Sequence, residues 1–198
     1  MKGKLNLVIL ILLVLYLLPR YPNPTVIENF ISESERRHII NKASSKLETS
    51  TISTSKTVDE KIRKSETAWI GREDDIVRGI MERCLKYTDR PIRNCEKLQV
   101  VRYKPGGHYK PHQDAFKGDE NMRMYTFILA LNDGYEGGET VFPKLNKSYK
   151  LKAGDALFFD TLDNYNFLTS KALHGGKPVK SGDKWICNLW VRKYPYTI

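Results

Sequence analysis

The sequence predicts an α+β domain that is mainly β: an antiparallel sandwich or jelly roll with helices ahead of it. Two observations predict this. After residue 96 come the short β-rich runs KLQVVRY, MYTFILAL, ETVF, YKLK, DALFFD and KWICNLWV, separated by the turn-forming stretches KPGGHYKP, NDGYEGG, KAGD and HGGKPVKSGD. Closely spaced strands with such punctuation are the pattern of closed or stacked antiparallel sheets. The helical signals all precede residue 96, so the helices are expected to buttress one face of the sheet.

Each element has its own justification. Lys2 and Lys4 precede LNLVILILLVLYLL, residues 5–18, which carries no charge. As a helix this run would span about 21 Å, short of the ~30 Å hydrocarbon core, and its length also fits the apolar part of a secretory signal. Pro19, Arg20, Tyr21 and Pro22 follow instead of a small-x-small cleavage site, which favours an uncleaved signal anchor over a cleaved signal. Lys2 and Lys4 would then stay cytoplasmic. The rest would lie in the lumen of the endoplasmic reticulum or another secretory compartment. Residues 19–26 read as an extended Pro-rich linker, and VIENFIS as a short strand. Ser32 with Glu35 forms a capping box for a helix through about Leu47. The Ser/Thr/Lys-rich stretch 44–66 reads as a mobile loop. Apolar residues at 76, 77, 80, 81 and 85 have helical spacing, with Asp74 or Asp75 as cap. The expected organisation is thus 1–24 anchor and linker, 25–95 helical support and 96–198 β core.

Composition bounds the function. The chain has 198 residues, 40% hydrophobic and 28% charged, enough for one domain with a real core. The net charge of +10 is spread among acids, as in VDEKIRKSE, with no arginine-rich run or recognition helix, so no nucleic-acid partner is expected. Cys84, Cys95 and Cys187 leave two readings open: a Cys84–Cys95 pair in an oxidising lumen, or three buried thiols.

The chemistry sits in two stretches. His112-Gln113-Asp114 and the distal His174 supply two imidazoles and one carboxylate, the ligand set of a non-haem Fe(II) site with open positions for substrates. If residues 112–114 are extended, His112 and Asp114 share a face, and His174 would arrive from a distant strand. A zinc site through His108 and His112 would need a helix, which Gly106, Gly107 and Pro111 oppose. His108 and His38 read as surface or packing histidines. Lys184 opens a strand in which alternation places Lys184, Ile186, Asn188 and Trp190 on one face. A lysine on a core face needs an anion, and the far carboxylate of 2-oxoglutarate fits, aided by hydroxyls from Tyr103, Thr140 and, less directly, Thr126. Tyr103 has an equal alternative as a plain core aromatic.

LQVVRYKPGGHYKPHQDAF, LALNDGYEGGETVFP, LKAGDALFF and ALHGGKPVKSGDKWICNLWVR together resemble the prolyl 4-hydroxylase family of Fe(II)/2-oxoglutarate dioxygenases, densely over 96–194 and more loosely over 26–95. The resemblance implies a double-stranded β-helix (jelly roll) core. It implies iron on His112, Asp114 and His174, and 2-oxoglutarate held by Lys184, Tyr103 and Thr140. It also implies dioxygen as oxidant, ascorbate to rescue stray oxidation, and C4 hydroxylation of proline in Pro-rich or collagen-like peptides. Tyr109, Arg123 and Trp190 match groove positions, and the loop near 48–68 matches a segment that closes over peptide. KSETAWI departs from the family's Arg-Thr-Ser run, which puts substrate contacts in question. Two rival readings stay open. One keeps the oxygenase chemistry but acts on a lysyl residue, a small molecule or an alkylated nucleic acid. The other is an inactive, tethered peptide-binding subunit.

Overall fold

The structure is a computed structural model and describes residues 17–52 and 57–197. Its architecture is two facing antiparallel sheets with two helices outside the larger one. The strands are β1 (Thr25–Ile27), β2 (Glu48–Thr49), β3 (Arg63–Lys64), β4 (Glu66–Ile70), β5 (Leu98–Tyr103), β6 (His108–His112), β7 (Arg123–Ala130), β8 (Glu136–Gly137), β9 (Thr140–Phe142), β10 (Lys147–Tyr149), β11 (Ala156–Asp160), β12 (His174–Gly176), β13 (Val179–Ser181) and β14 (Lys184–Arg192). The helices are α1 (Glu33–Ser44) and α2 (Asp75–Leu85). The major sheet runs β1-β11-β7-β14-β5-β4-β2 and the minor sheet β10-β9-β12-β6-β3, with β13 and β8 paired beside them. This is the expected jelly roll.

Alternation along the long strands divides the core in two. Leu98 and Val100 of β5, Phe127 and Leu129 of β7, and Cys187, Leu189 and Val191 of β14 face outward, where Ile39, Ala43, Val77, Ile80, Met81 and Cys84 of the helices cover them. The opposite set, Val101, Tyr103, Ile128, Ala130 and Ile186, faces inward against Phe142, Leu157 and Phe159. Each fully buried aliphatic side chain contributes roughly 1.5–3 kcal/mol. Truncating Ile80 at the helix–sheet seam to Ala would cost roughly 2–5 kcal/mol.

The helix starts follow the sequence. The Ser32 hydroxyl accepts from the Glu35 N–H and the Glu35 carboxylate accepts from the Ser32 N–H, closing the capping box. Asp74, rather than Asp75, caps α2 by accepting from the Val77 N–H. His38 is a packing residue: its Nε2 lies 2.8 Å from Asp74 Oδ2. Helix α1 ends at Ser44, three residues short of the expected Leu47.

Other expectations are corrected. HYKPH was read as part of a turn, yet it is strand β6, because β12 and β3 pair with it on both sides. The strand placed at YKLK lies earlier, at β10. The loop 44–66 carries two short strands, β2 and β3, and its residues 53–56 lie outside the described residues. Of the two readings left open for Cys84, Cys95 and Cys187, the structure shows three free, buried thiols, and burial pushes the Cys95 thiol up to about 12. Of the apolar run 5–18, only Leu17 and Leu18 are described; the expected anchor otherwise lies outside the described residues. Among the described residues no helix is long and apolar enough to cross a membrane.

Candidate active site

The minor sheet brings the three metal-ligand candidates together. Strand β12 pairs antiparallel with β6 so that His174 lies opposite His112, and the two rings sit 4.5 Å apart. This close register depends on Gly175. A Cβ there would stand 2.8 Å from the Tyr109 carbonyl oxygen and 2.9 Å from the Pro111 nitrogen, so only glycine lets the strands meet. Asp114 was expected within an extended strand beside His112. Instead β6 ends at His112, and Asp114 sits in the bend that follows, its carboxylate still turned toward both imidazoles. Asp114 Oδ1 is 3.9 Å from His112 Nε2, and Oδ2 is 3.6 Å from His174 Nε2.

The protonation pattern suits a cation. His112 Nδ1 donates to the Lys110 carbonyl (2.9 Å) and His174 Nδ1 to the Ala172 carbonyl (3.1 Å). Those bonds fix each tautomer with a bare Nε2 facing the carboxylate. Burial, then the nearby His174, holds the His112 imidazole well below its ordinary value and so neutral. Burial pushes the Asp114 carboxyl up. His174, His112, Arg123 and the Thr126 hydroxyl outweigh that push and keep it below the usual range, hence ionised. One ligand atom from each of the three residues lies within 4.8 Å of the others. Two neutral nitrogens and one carboxylate oxygen fit Fe(II). His108 takes no part: its ring faces the Gly106 carbonyl, and the zinc reading through it is not realised.

A cleft opens from this cluster between the sheets. Tyr103, Tyr109, Thr126, Thr140, Lys184 and Trp190 all line it, with Ile128, Ile186, Gln99, Asn188 and Arg63. Thr126 and Trp190, paired across β7 and β14, stand at the metal end, and Lys184 begins β14 opposite Tyr103 at the other. The inward face predicted for β14 is therefore observed. Lys184 is only 5% exposed, and its Nζ donates to the Gly138 carbonyl at 2.6 Å. Gly138 has φ +66°, and a Cβ there would come 3.1 Å from Lys184 Cδ. Burial, then the charge of Lys150, lowers the Lys184 ammonium from 10.5 to about 8, with Glu139 opposing. This buried cation has no carboxylate in salt-bridge contact among the described residues.

Three neighbours hold the ligands in place. The Thr126 hydroxyl donates to Asp114 Oδ2 at 2.7 Å, so the structure commits Thr126 to the aspartate rather than to a co-substrate. Tyr109 stacks on His112 with 3.6 Å between ring centres, and the Arg63 guanidinium lies over the Tyr109 ring at 4.8 Å. Arg63 was missed from sequence; nothing in DEKIRKSE marks which of its charges turns inward. Arg123, expected in the peptide groove, is not among the cleft-lining residues. Glu96 grips it through two bonds of 2.6 and 2.9 Å, it lies 3.6 Å over the Trp190 ring, and its Nη1 is 3.9 Å from Asp114. The buried Glu96 carboxylate, also missed, draws the guanidinium behind the metal cluster. The Trp190 indole nitrogen is buried without a hydrogen-bond partner among the described residues.

Comparison with known proteins places this geometry. Residues 98–192 match the family described as the 2OG-Fe(II) oxygenase superfamily. A protein of Acanthamoeba polyphaga mimivirus assigned as a prolyl 4-hydroxylase is 35% identical over 188 residues, covering 89% of this chain and 77% of that one. Prolyl 4-hydroxylase 5 of Arabidopsis thaliana is 32% identical over 205 residues, covering 89% and 70%. The crystal structure of the viral collagen prolyl hydroxylase from Paramecium bursaria Chlorella virus-1, as its 2OG complex, superposes with a TM-score of 0.73 at 32% identity, over 88% of this chain and 97% of that one. The family match over residues 98–192 includes both histidines, the aspartate and the lysine, and the chain belongs to the prolyl 4-hydroxylase family of 2OG-Fe(II) oxygenases.

Proposed function

We propose that this enzyme hydroxylates C4 of proline within Pro-rich or collagen-like peptides, using Fe(II), 2-oxoglutarate and dioxygen. The single observation that carries this is the convergence of His112, Asp114 and His174 on one cleft that also buries Lys184 with no carboxylate in salt-bridge contact among the described residues. His112, Asp114 and His174 would hold Fe(II), which would supply the oxidative chemistry: of the two atoms of O2, one would go into succinate as 2-oxoglutarate loses CO2 and the other into the substrate C–H bond. The protein does the rest. Lys184, with Tyr103 and Thr140, binds the far carboxylate of 2-oxoglutarate and aims its other end at the metal ligands. Thr126 and Arg123 keep Asp114 ionised and oriented. Ile128 and Ile186 keep the space between dry, which strengthens each charge interaction there.

Tyr109 and Trp190 suit a Pro-rich peptide, whose extended backbone is pre-ordered and packs on aromatic faces. The free Trp190 indole N–H would donate to a peptide carbonyl. Arg123 acts from behind Trp190, fixing its plane. Ascorbate would return stray ferric enzyme to the ferrous state. We further propose that residues 5–18 anchor the chain in a membrane of the secretory pathway with the catalytic domain on the luminal side.

The test is incubation with Fe(II), 2-oxoglutarate and ascorbate against poly-proline, collagen-like, lysine-containing and methylated-oligonucleotide substrates. A mass gain of one oxygen atom confined to proline, with matching succinate, is expected. Gain on another substrate and none on proline would refute the peptide assignment.

A further inference from the structure

The residues between the apolar run and the domain were expected to form an extended linker. They are instead fastened along the domain surface. The Tyr165 hydroxyl donates to the Leu17 carbonyl at 2.9 Å. The Arg20 N–H donates to Asn164 Oδ1, and the Asn164 N–H donates back to the Arg20 carbonyl at 3.1 Å. Further on, Tyr21 donates to the Asp160 carbonyl, Tyr149 donates to the Pro24 carbonyl, and β1 pairs with β11. No slack separates Leu18, the last residue of the uncharged run, from the turn at 163–168.

That turn is itself held by its own bonds. Asp163 Oδ1 accepts from the Tyr165 and Phe167 N–H groups at 2.9 and 3.0 Å, the Asp163 N–H donates to the Phe167 carbonyl, and Leu162 bridges Leu168. It nevertheless presents Phe167 68% exposed, Tyr165 42% and Leu168 41%, next to Leu17 and Leu18, which are also exposed. Exposed apolar side chains gathered on a turn that is fixed by its own bonds mark a contact surface. Aromatic residues flanked by the exposed basic side chains of Arg20 and Lys171 are the composition of a bilayer interface.

We propose that the turn 163–168 rests on the phospholipid bilayer that holds residues 5–18. The proposal builds on the anchor reading. The short tether and the patch together fix the orientation of the domain. The turn continues through Thr169, whose carbonyl accepts from Gln113 between His112 and Asp114, into His174. The proposed membrane-facing turn is therefore joined by a short stretch of chain, and by the Gln113 bond, to the residues that carry His112, Asp114 and His174.

The test uses the full chain with Phe167→Cys carrying an environment-sensitive nitrobenzoxadiazole label, the three native thiols being buried. Leu168→Cys serves as a second labelled variant. Ser34→Cys, beyond the opposite end of β11, is the water-exposed reference. Each is mixed with phosphatidylcholine vesicles containing a minor share of phosphatidylserine. Flotation with the vesicles reads the anchor. A blue shift and quenching by doxyl-labelled lipid at 167 and 168, with no change at 34, is the expected result. Flotation with unchanged emission at 167 and 168 would overturn the proposal and leave the anchor standing. Failure to float would overturn both. A label already shielded without vesicles would mean that residues 5–18 or a second copy cover the patch. Shielding produced by a Pro-rich peptide instead of vesicles would mean it is substrate surface. Either result would overturn the bilayer contact.

Discussion

Lys184 gives the proposed co-substrate site a prediction with two readouts of opposite sign. Without a dicarboxylate, its ammonium is buried, hydrogen-bonded to the neutral Gly138 carbonyl and flanked by the Tyr103 and Tyr135 rings, and burial lowers it from 10.5 to about 8. That lowering corresponds to about 3 kcal/mol of cost for carrying the charge in the folded state at neutral pH. Replacing Lys184 by Met keeps most of the volume and removes the charge. It also strands the Gly138 carbonyl, returning about 1 kcal/mol. The net gain for metal-free protein is about 2 kcal/mol, or roughly 5 °C in melting temperature for a chain of this size. Affinity for 2-oxoglutarate should move the other way. Losing a charged hydrogen bond costs about 1.5–3 kcal/mol, on the order of 10–100-fold in Kd. Calorimetric melting in chelator reads the first effect. Titration of 2-oxoglutarate into Mn(II)-loaded protein reads the second. The sign with pH is fixed too. The folded-state value lies below the unfolded one, so the wild-type penalty is complete below about pH 8 and fades as pH rises toward 10.5. The melting advantage of Lys184→Met should shrink over that window. A variant that melts lower than wild type at pH 7 and binds 2-oxoglutarate normally would refute both the buried-charge account and the anchoring role.

Asp114→Asn should abolish turnover and metal binding while the apo fold survives, as read by Mn(II) paramagnetic resonance and circular dichroism; retained tight metal binding would exclude Asp114 as a ligand. Thr126→Val removes the 2.7 Å bond to Asp114 and should weaken metal binding roughly 10–100-fold without changing 2-oxoglutarate affinity in metal-saturated protein. A selective loss of 2-oxoglutarate affinity would instead make Thr126 a co-substrate contact. Gly175→Ala forces β12 off β6 and should cost roughly 1–3 kcal/mol of stability together with metal affinity; a variant with unchanged metal binding would show that the contact at 2.8 Å is not what sets the histidine pair.

The jelly roll was legible because its long strands are buried on both faces or sharply alternating: MYTFILAL and KWICNLWV state their period openly, and the bonds that pair them merely confirm it. Strand β6 was hidden for a specific reason. Its residues His108, Tyr109, Lys110, Pro111 and His112 lack an apolar stripe, and two glycines and a proline within or beside it argue for a turn. It is a strand because β12 and β3 supply partners on either side, a tertiary cause that no local propensity expresses. The same segment carries the first metal ligand. The poor local signal and the chemistry coincide because a metal ligand and its polar neighbours occupy the positions that an apolar stripe would need.

The ligands and Lys184 were readable since their chemistry requires rare residue types at set places. The arginines around them were not. Arg63, Arg102, Arg123 and Arg192 look alike in sequence, yet Arg102 pairs with Asp183 near the surface, while Arg123 and Arg192 share the buried Glu96. What separates them is one acid, Glu96, placed just ahead of β5, next to Cys95, which meets Val191 of β14 across an isolated bridge. That acid collects two guanidiniums behind Trp190 and leaves one of them 3.9 Å from the metal-binding carboxylate. A basic side chain there draws the negative Asp114 toward ionisation without competing for the position of the metal, since the ligand imidazoles approach from the other strand pair. Charge placement of this kind follows from burial and partner, and both are properties of the folded chain rather than of any stretch of its sequence.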